Sequence, residues 1–389
     1  MLQTARKLRD YLQLPPMARA AVRRDRKGAP SRDPGIDRII DEGFAWLCRA
    51  QDCSATSDGG VARDFSLIKG WASSYPETTG YIVPTFIQYA KLRNNPNALL
   101  RARRMLNWLV SIQFPDGGFQ GGPVDAPKRV PVTFNTGQIL IGLAAGAREF
   151  GDYRDAMNSA AAWLVKTQDR DGCWRHHPTP FAKAGEKAYE THVAWGLFEA
   201  ERLEPGRGYG EAGLKNVRWA LTCQRENGWV ARCCLDRPQM PLTHTLGYFL
   251  RGVVEAHRFS GRDEFLEAAS LTANGLLSVQ RDDGSLPGRL YADWSVARDW
   301  CCLTGNVQIA QSWLILYQRT GDIRFLHAGR AANRFVRRTI GLESPRDIRG
   351  GVAGSFPIDG GYGRFQYPSW AIKFAIDSNM LEQKIPFTA

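Results

Sequence analysis

The sequence predicts an all-α fold, an (α/α)6 barrel in which six helical hairpins close into a toroid, on three observations. Gln51, Gln113, Gln168, Gln224 and Gln280 recur about 55 to 62 residues apart, each just after an apolar helical end such as Trp108-Leu109 or Trp163-Leu164. Four of them run into a glycine turn: Asp116-Gly117-Gly118-Phe119, Asp171-Gly172-Cys173-Trp174, Asn227-Gly228-Trp229 and Asp283-Gly284-Ser285-Leu286. After Gln51 the turn waits until Asp58-Gly59-Gly60. A second helix then opens on Thr79, Thr136, Thr191, Thr243 and Thr304, with Ser369 as a divergent sixth opening. One such unit cannot bury its apolar face alone, so the units must stack on one another.

Residues 1–35 form a basic arm carrying Arg6, Lys7, Arg9, Arg19, Arg23, Arg24 and Arg26. It lacks an apolar run of signal-peptide length and fits either a solvated tail or peripheral contact with an anionic membrane. From 36 to 389 the repeats run without a linker and are read as one toroid domain. The first outer helix, about 36–50, has Ile36, Ile39, Ile40, Phe44 and Leu47 at helical spacing. The inner helices, about 79–93, 139–150, 193–203, 246–259 and 307–320, are apolar almost all round, as elements buried between a ring and its lumen should be. Thr at each opening reads as an N-cap, and Pro368 suits the start of the last inner helix. The period predicts a sixth Gln near Arg337, and none is there. Gly- and Pro-dense stretches at 119–134 and 349–365 admit short strands.

Lys and Arg number 51 against 39 Asp and Glu, a net charge of +12 that favours anionic partners. The basic residues are dispersed and no nucleic-acid motif appears, which counts against nucleic acid, while an acidic glycan, a diphosphate, an anionic membrane or a merely solvated Arg-rich surface fits as well. Eight cysteines, including the neighbours Cys233-Cys234 and Cys301-Cys302, make no disulfide framework and suit a cytoplasmic or membrane-peripheral protein. Cys173 and His176 stand at ligand spacing without a second couple to complete a site, so neither metal nor other cofactor is expected. Asp116, Asp171 and Asp283, each before a glycine, read as turn chemistry.

The Trp-Leu-x-x-x-Gln run with its Asp-Gly-x-Trp turn resembles the repeat of the terpenoid cyclase and protein prenyltransferase toroids. Six hairpins, and the run from Thr243 to Gly252, are more similar to the six-hairpin glycosidases, which include uronyl hydrolases, polysaccharide lyases and N-acylglucosamine 2-epimerase-like enzymes. The segments 302–310 and 354–374 resemble bacterial proteins encoded with exopolysaccharide biosynthesis genes. The likeness covers about 350 residues and is specific for architecture rather than reaction. It implies a carbohydrate-active enzyme working on an acidic glycan or a lipid-linked oligosaccharide by metal-independent acid/base chemistry, whether as hydrolase, lyase or epimerase. A terpenoid cyclase-like enzyme and a non-catalytic glycan-binding toroid remain as alternatives.

In such a ring the inner helices bring their N-termini to one mouth, where orphan N–H groups and partial positive charge suit an anion. Glu77, Glu190, His192 and His244 stand at or beside those openings and are the expected catalytic residues. A hydrolase would use the two carboxylates, one protonated and one ionised. A lyase or epimerase would move a C5 proton between His192 and His244. Tyr81, Asn135, Gln138, Asn306, Gln308, Tyr367 and Lys373 are the expected substrate-binding groups, with Trp300 and Trp370 as stacking platforms or packing plugs. His192 and His244, each following an opening Thr, read as matching positions of neighbouring repeats.

Overall fold

Apolar residues Ile39, Ile40, Phe44 and Leu47 fall on one face of the helix Ile36–Asp52, and burying that face turns the helix toward its neighbours. The computed structural model describes residues 11–180 and 185–386. After a short helix α1 (Pro16–Asp25), outer and inner helices alternate. The outer helices are α2 (Ile36–Asp52), α4 (Pro96–Ile112), α6 (Arg154–Thr167), α8 (Tyr209–Leu221), α10 (Asp263–Leu277) and α12 (Ile323–Thr339). The inner helices are α3 (Pro76–Arg93), α5 (Thr133–Phe150), α7 (Thr191–Leu203), α9 (Thr243–Ser260), α11 (Leu303–Thr320) and α13 (Ser369–Gln383). Each inner helix packs on the next, and α13 meets both α2 and α3, so six hairpins close an (α/α)6 toroid.

The repeated glutamine is a staple between hairpins. Gln113 Nε2 donates to Gly117 O of its own turn at 2.9 Å and to Ala156 O of the next outer helix at 3.0 Å. Gln168 does the same with Gly172 and Ala212, and Gln280 with Gly284 and Ala328. In the sixth unit Arg337 stands where that glutamine is missing, and it holds Asp33, Asn379 and Glu382 instead. The turn itself survives there: Gly350, at φ +80°, lies so close to α2 that a Cβ would come within 2.3 Å of Glu42 O.

The threonines do not cap their helices. Among the inner helices no N-cap side chain makes a capping hydrogen bond, and α3 and α5 begin earlier than expected, at Pro76 and Thr133. Thr79 Oγ1 donates to Tyr75 O and accepts from Val61 N, both at 2.9 Å, while Thr136 makes the matching pair with Val132 O and Phe119 N. The buried loop N–H behind each helix needs an acceptor, and a first-turn hydroxyl facing that loop supplies it. Asn306 takes this role in α11, accepting from Leu286 N at 2.8 Å and donating to Ala332 O at 3.0 Å.

The strands are short and lie in the connecting loops. β1 (Asp64–Ser66) pairs with β2 (Gly70–Trp71) and with β7 (Gln366–Pro368), joining the first and last units. β3 (Arg289–Leu290) pairs with β4 (Val296–Arg298), and β5 (Cys301–Cys302) with β6 (Ser355–Phe356). Within 119–134 only an isolated bridge, Gln120 to Pro131, forms. Arg6, Lys7 and Arg9 lie outside the described residues. The rest of the basic arm is docked: α1 buries Ala18, Ala21 and Val22, and Asp25 accepts from Ile358 N at 2.8 Å. No helix among the described residues is long and apolar enough to cross a membrane.

Candidate active site

Close backbone approaches set the register of the inner ring. A Cβ on Gly142, Gly196 or Gly252 would sit 2.1, 2.6 or 2.3 Å from the carbonyl oxygens of Gly80, Gly137 and Thr191, respectively. Gly80, Gly137 and Thr191 therefore stand at one level, and the same offset within α9 adds Gly247. Tyr81, Gln138, His192 and Tyr248 form the next position of that layer. One turn nearer the mouth stand Glu77, Phe134 and His244.

A cavity of about 160 Å³ opens at that upper level, walled by Glu77, Phe134, His244, Tyr248 and Trp370 of the inner helices and by Arg63, Tyr75, Tyr189 and Tyr362 of the loops. Glu77 in α3 and His244 in α9 belong to the first and fourth inner helices of the ring and so face each other across it. Burial pushes the Glu77 carboxyl up to about 7, against the opposing pull of Arg63 and Tyr75. Burial pushes His244 down to about 4, and its bond to Gln308 pulls the other way. At neutral pH the imidazole is therefore uncharged and Glu77 is close to half protonated. Desolvation raises the phenols of Tyr75, Tyr189, Tyr248 and Tyr362, which stay as O–H groups.

Arg63 ion-pairs with the buried Asp64, and its guanidinium lies 5.1 Å from the Trp370 ring centroid and 5.8 Å from that of Tyr75. Trp370 is held in turn by its Nε1, which donates to Tyr362 Oη at 2.9 Å. The result is a cationic fork on an aromatic shelf beside Glu77.

The lower layer is closed. His192 Nδ1 lies 2.6 Å from Gln138 Oε1, His192 Nε2 and Gln138 Nε2 are buried without a partner, and the Tyr81 hydroxyl hydrogen-bonds Tyr248. Lys373 is 2% exposed, pairs with Asp377 at 2.8 Å and lies over the rings of Phe374 and Tyr81. Burial and then the charges of Arg251 and Lys373 hold His192 well below its usual range.

This corrects the expected grouping. His192 and His244 are not matching positions: Thr191 aligns with Gly247 and bonds Phe249 O, because a 3-10 turn (Ala188–Glu190) occupies the level at which α9 is already helical. Glu190 falls at the level of Thr79 and Thr136, whose side chains face the loops, and it is not a wall of the cavity. Burial raises it to about 8, with Lys187 opposing. Asn135 is fully buried behind the wall residue Tyr75, with which its side chain hydrogen-bonds, and does not itself line the cavity. Gln138 and Gln308 each bond a histidine of a neighbouring helix. Asn306 is saturated by backbone partners, Tyr367 faces Arg24 and Asp25 of the arm, and Trp300 plugs the space over Gly288 and Gly361. Trp370 lines the cavity as well as packing.

Arg63, Tyr75, Tyr248 and Tyr362 were not among the sequence candidates. Tyr248 had a signal, lying one helical turn after His244 on the same face. Cys173 is fully buried whereas the His176 side chain is 73% exposed, which separates the one couple at metal-ligand spacing. Among the described residues no cluster of three His, Cys, Asp or Glu is placed to hold a metal ion.

No protein-family model matches this sequence, and no curated protein matches it. Solved structures do match its shape. A heparin-specific unsaturated glucuronyl hydrolase superposes with TM-score 0.72 at 14% identity, over 91% of this chain and 99% of its own. A D-mannose isomerase gives 0.73 at 10% identity, over 91% and 99%. Cellobiose 2-epimerase from Bacillus thermoamylovorans B4167 gives 0.68 at 11% identity, over 90% and 99%. What these proteins share with the chain at such identities is the six-hairpin toroid.

Proposed function

We propose that this toroid is a carbohydrate-active enzyme that moves a proton on a single uronic acid residue of a glycan, as an epimerase or lyase. The observation that carries this reading is the facing of Glu77 and His244 across a cavity of about 160 Å³, a space that admits roughly one six-membered ring. The bound sugar's carboxylate meets Arg63, and its ring stacks against the Trp370 and Tyr75 shelf. His244 Nε2 takes the C5 proton, and the C–H electron pair passes into the carboxylate as an enediolate that Arg63 stabilises. Protonated Glu77 then gives a proton, to the opposite face of C5 in an epimerase, or in a lyase to the C4 oxygen, which leaves with the C4–O pair as the enediolate electrons form the C4=C5 double bond. Glycosidase chemistry by Glu77 and Glu190 is the weaker reading, since only one of those carboxylates lines the cavity. An isoprenoid would be ill matched to walls that carry Arg63, Glu77 and His244.

Oligosaccharides carrying a glucuronate or mannuronate substituted at O4, incubated with the protein in D2O and followed by proton NMR, test this. Loss of the H5 signal, or growth of an unsaturated product, supports the proposal. Release of reducing sugar without either change means hydrolysis, and binding without any reaction means a glycan-binding toroid; each overturns it. A lipid-linked substrate would bring the protein to an anionic leaflet. We assign that contact to the outward side of the arm, where Arg23, Arg26 and Lys27 are exposed beside Leu12 and Met17. Flotation with phosphatidylglycerol vesicles but not with phosphatidylcholine vesicles is the expected outcome.

A further inference from the structure

We infer that Gln308 is a positioning residue that locks His244 in the tautomer presenting a bare Nε2 to the cavity, an inference that rests on His244 being the proposed base. Gln308 Oε1 lies 2.7 Å from His244 Nδ1. An amide oxygen only accepts, so Nδ1 carries the proton of the neutral ring and Nε2 keeps its lone pair. The glutamine is seated by close packing: a Cβ on Gly247 would come within 2.9 Å of Gln308 Cβ and 3.1 Å of its Oε1. Any side chain at that position of α9 would push α11 and its amide away.

The groups facing the imidazole leave the lock to Gln308. Tyr248 of its own helix and Tyr362 of the last loop lie 4.4 and 5.1 Å from it, ring to ring. Across the cavity are Glu77, Arg63 and Tyr189, with Cys302 behind Tyr362 and His192 a layer below. None of these bonds either ring nitrogen. The Gln138–His192 pair repeats the Nδ1–Oε1 contact in the closed layer, where Nε2 is buried without a partner. It is an internal control with the same bond and no access.

Nitrogen-15 NMR of histidine-labelled protein tests this without substrate, the His244 signals being identified by their absence from His244→Gln. The wild type should show Nδ1–H and bare Nε2, whereas Gln308→Leu should show a mixture containing Nε2–H. Gln308→Glu offers a charged acceptor and should hold the imidazolium to higher pH, moving the acid limb of kcat/KM upward by about one pH unit. Gln308→Leu should lower kcat about tenfold with little change in KM. A wild-type spectrum with Nε2–H sinks the lock whatever the activity. So do an unchanged tautomer in Gln308→Leu and an unmoved acid limb in Gln308→Glu, which would mark a merely structural glutamine. A bare Nε2 in protein that exchanges no uronate proton instead overturns the reaction and the positioning role with it, leaving only the hydrogen bond.

Discussion

The histidines of two histidine–glutamine pairs stand one helical turn apart in depth within the same ring, and they differ in what lies beyond the imidazole. His244 leans on Gln308 and looks across a cavity at Glu77, among tyrosine hydroxyls and Arg63. His192 leans on Gln138 and looks at packed protein, above the Lys373–Asp377 pair and beside Arg251, which is bound to Glu255 at 2.8 Å. Both rings are kept neutral by burial, so the bond and the charge state do not separate them. Access does. The closed layer is a buried polar floor, and the open layer is where the proposed reaction would exchange a proton with a substrate.

The largest contrast is expected from removing the groups at the mouth. Glu77→Gln or His244→Gln should cut uronate proton exchange by about 10³-fold, the scale of a lost general acid or base, while thermal unfolding stays near that of the wild type. A folded His192→Gln protein with an equal loss would break the distinction between the layers.

Next in size is Glu190. Its carboxyl is raised from 4.5 to about 8, so as pH rises the unfolded chain gives up this proton first and the native state loses stability across that interval. The loss is on the order of several kcal/mol. Glu190→Gln removes it, so urea unfolding at pH 9 should find the variant more stable than the wild type, with the gap nearly closed at pH 5. A gap equal at both pH values would mean that Glu190 is solvated.

A smaller effect sharpens the meaning of the floor. His192→Ala leaves the Gln138 amide buried and unpaired, and should cost about 2 to 3 kcal/mol in denaturant unfolding. Changing both partners, His192→Leu with Gln138→Met, should recover most of that and keep activity. The same double change at His244 and Gln308 should give a stable, inactive protein. Inactivity of the first pair, despite folding, would show that the floor takes part in the chemistry.

The mildest prediction is the pH profile. The proposed reaction needs His244 neutral, which holds above about 4, and Glu77 protonated, which holds below about 7. The rate should peak between pH 5 and 6 and fall about tenfold by pH 8. Glu77→Gln should remove the alkaline limb from any residual activity.

The alternation of outer and inner helices, their number and the glycine turns were legible because each is local chemistry: an apolar stripe, a turn needing positive φ, a repeated staple. So was the gathering of polar and aromatic groups at the helix openings, where Glu77, His244 and Trp370 line the cavity. Spacing along one chain, however, gives a residue's angle around its own helix and not its height against the next one. That height is set where glycines let backbones touch, as Gly252 does on Thr191, and it separates His192 from His244 although both follow a threonine. It also turns Glu190 toward a loop and leaves Asn306 holding backbone. Arg63, Tyr75 and Tyr362 reach the cavity on loops that the β1–β7 pairing brings together from opposite ends of the chain. The sequence by itself determined the toroid and the end of it that carries polar groups; closure of the ring decided which of those groups share a cavity, because only packing between helices fixes depth.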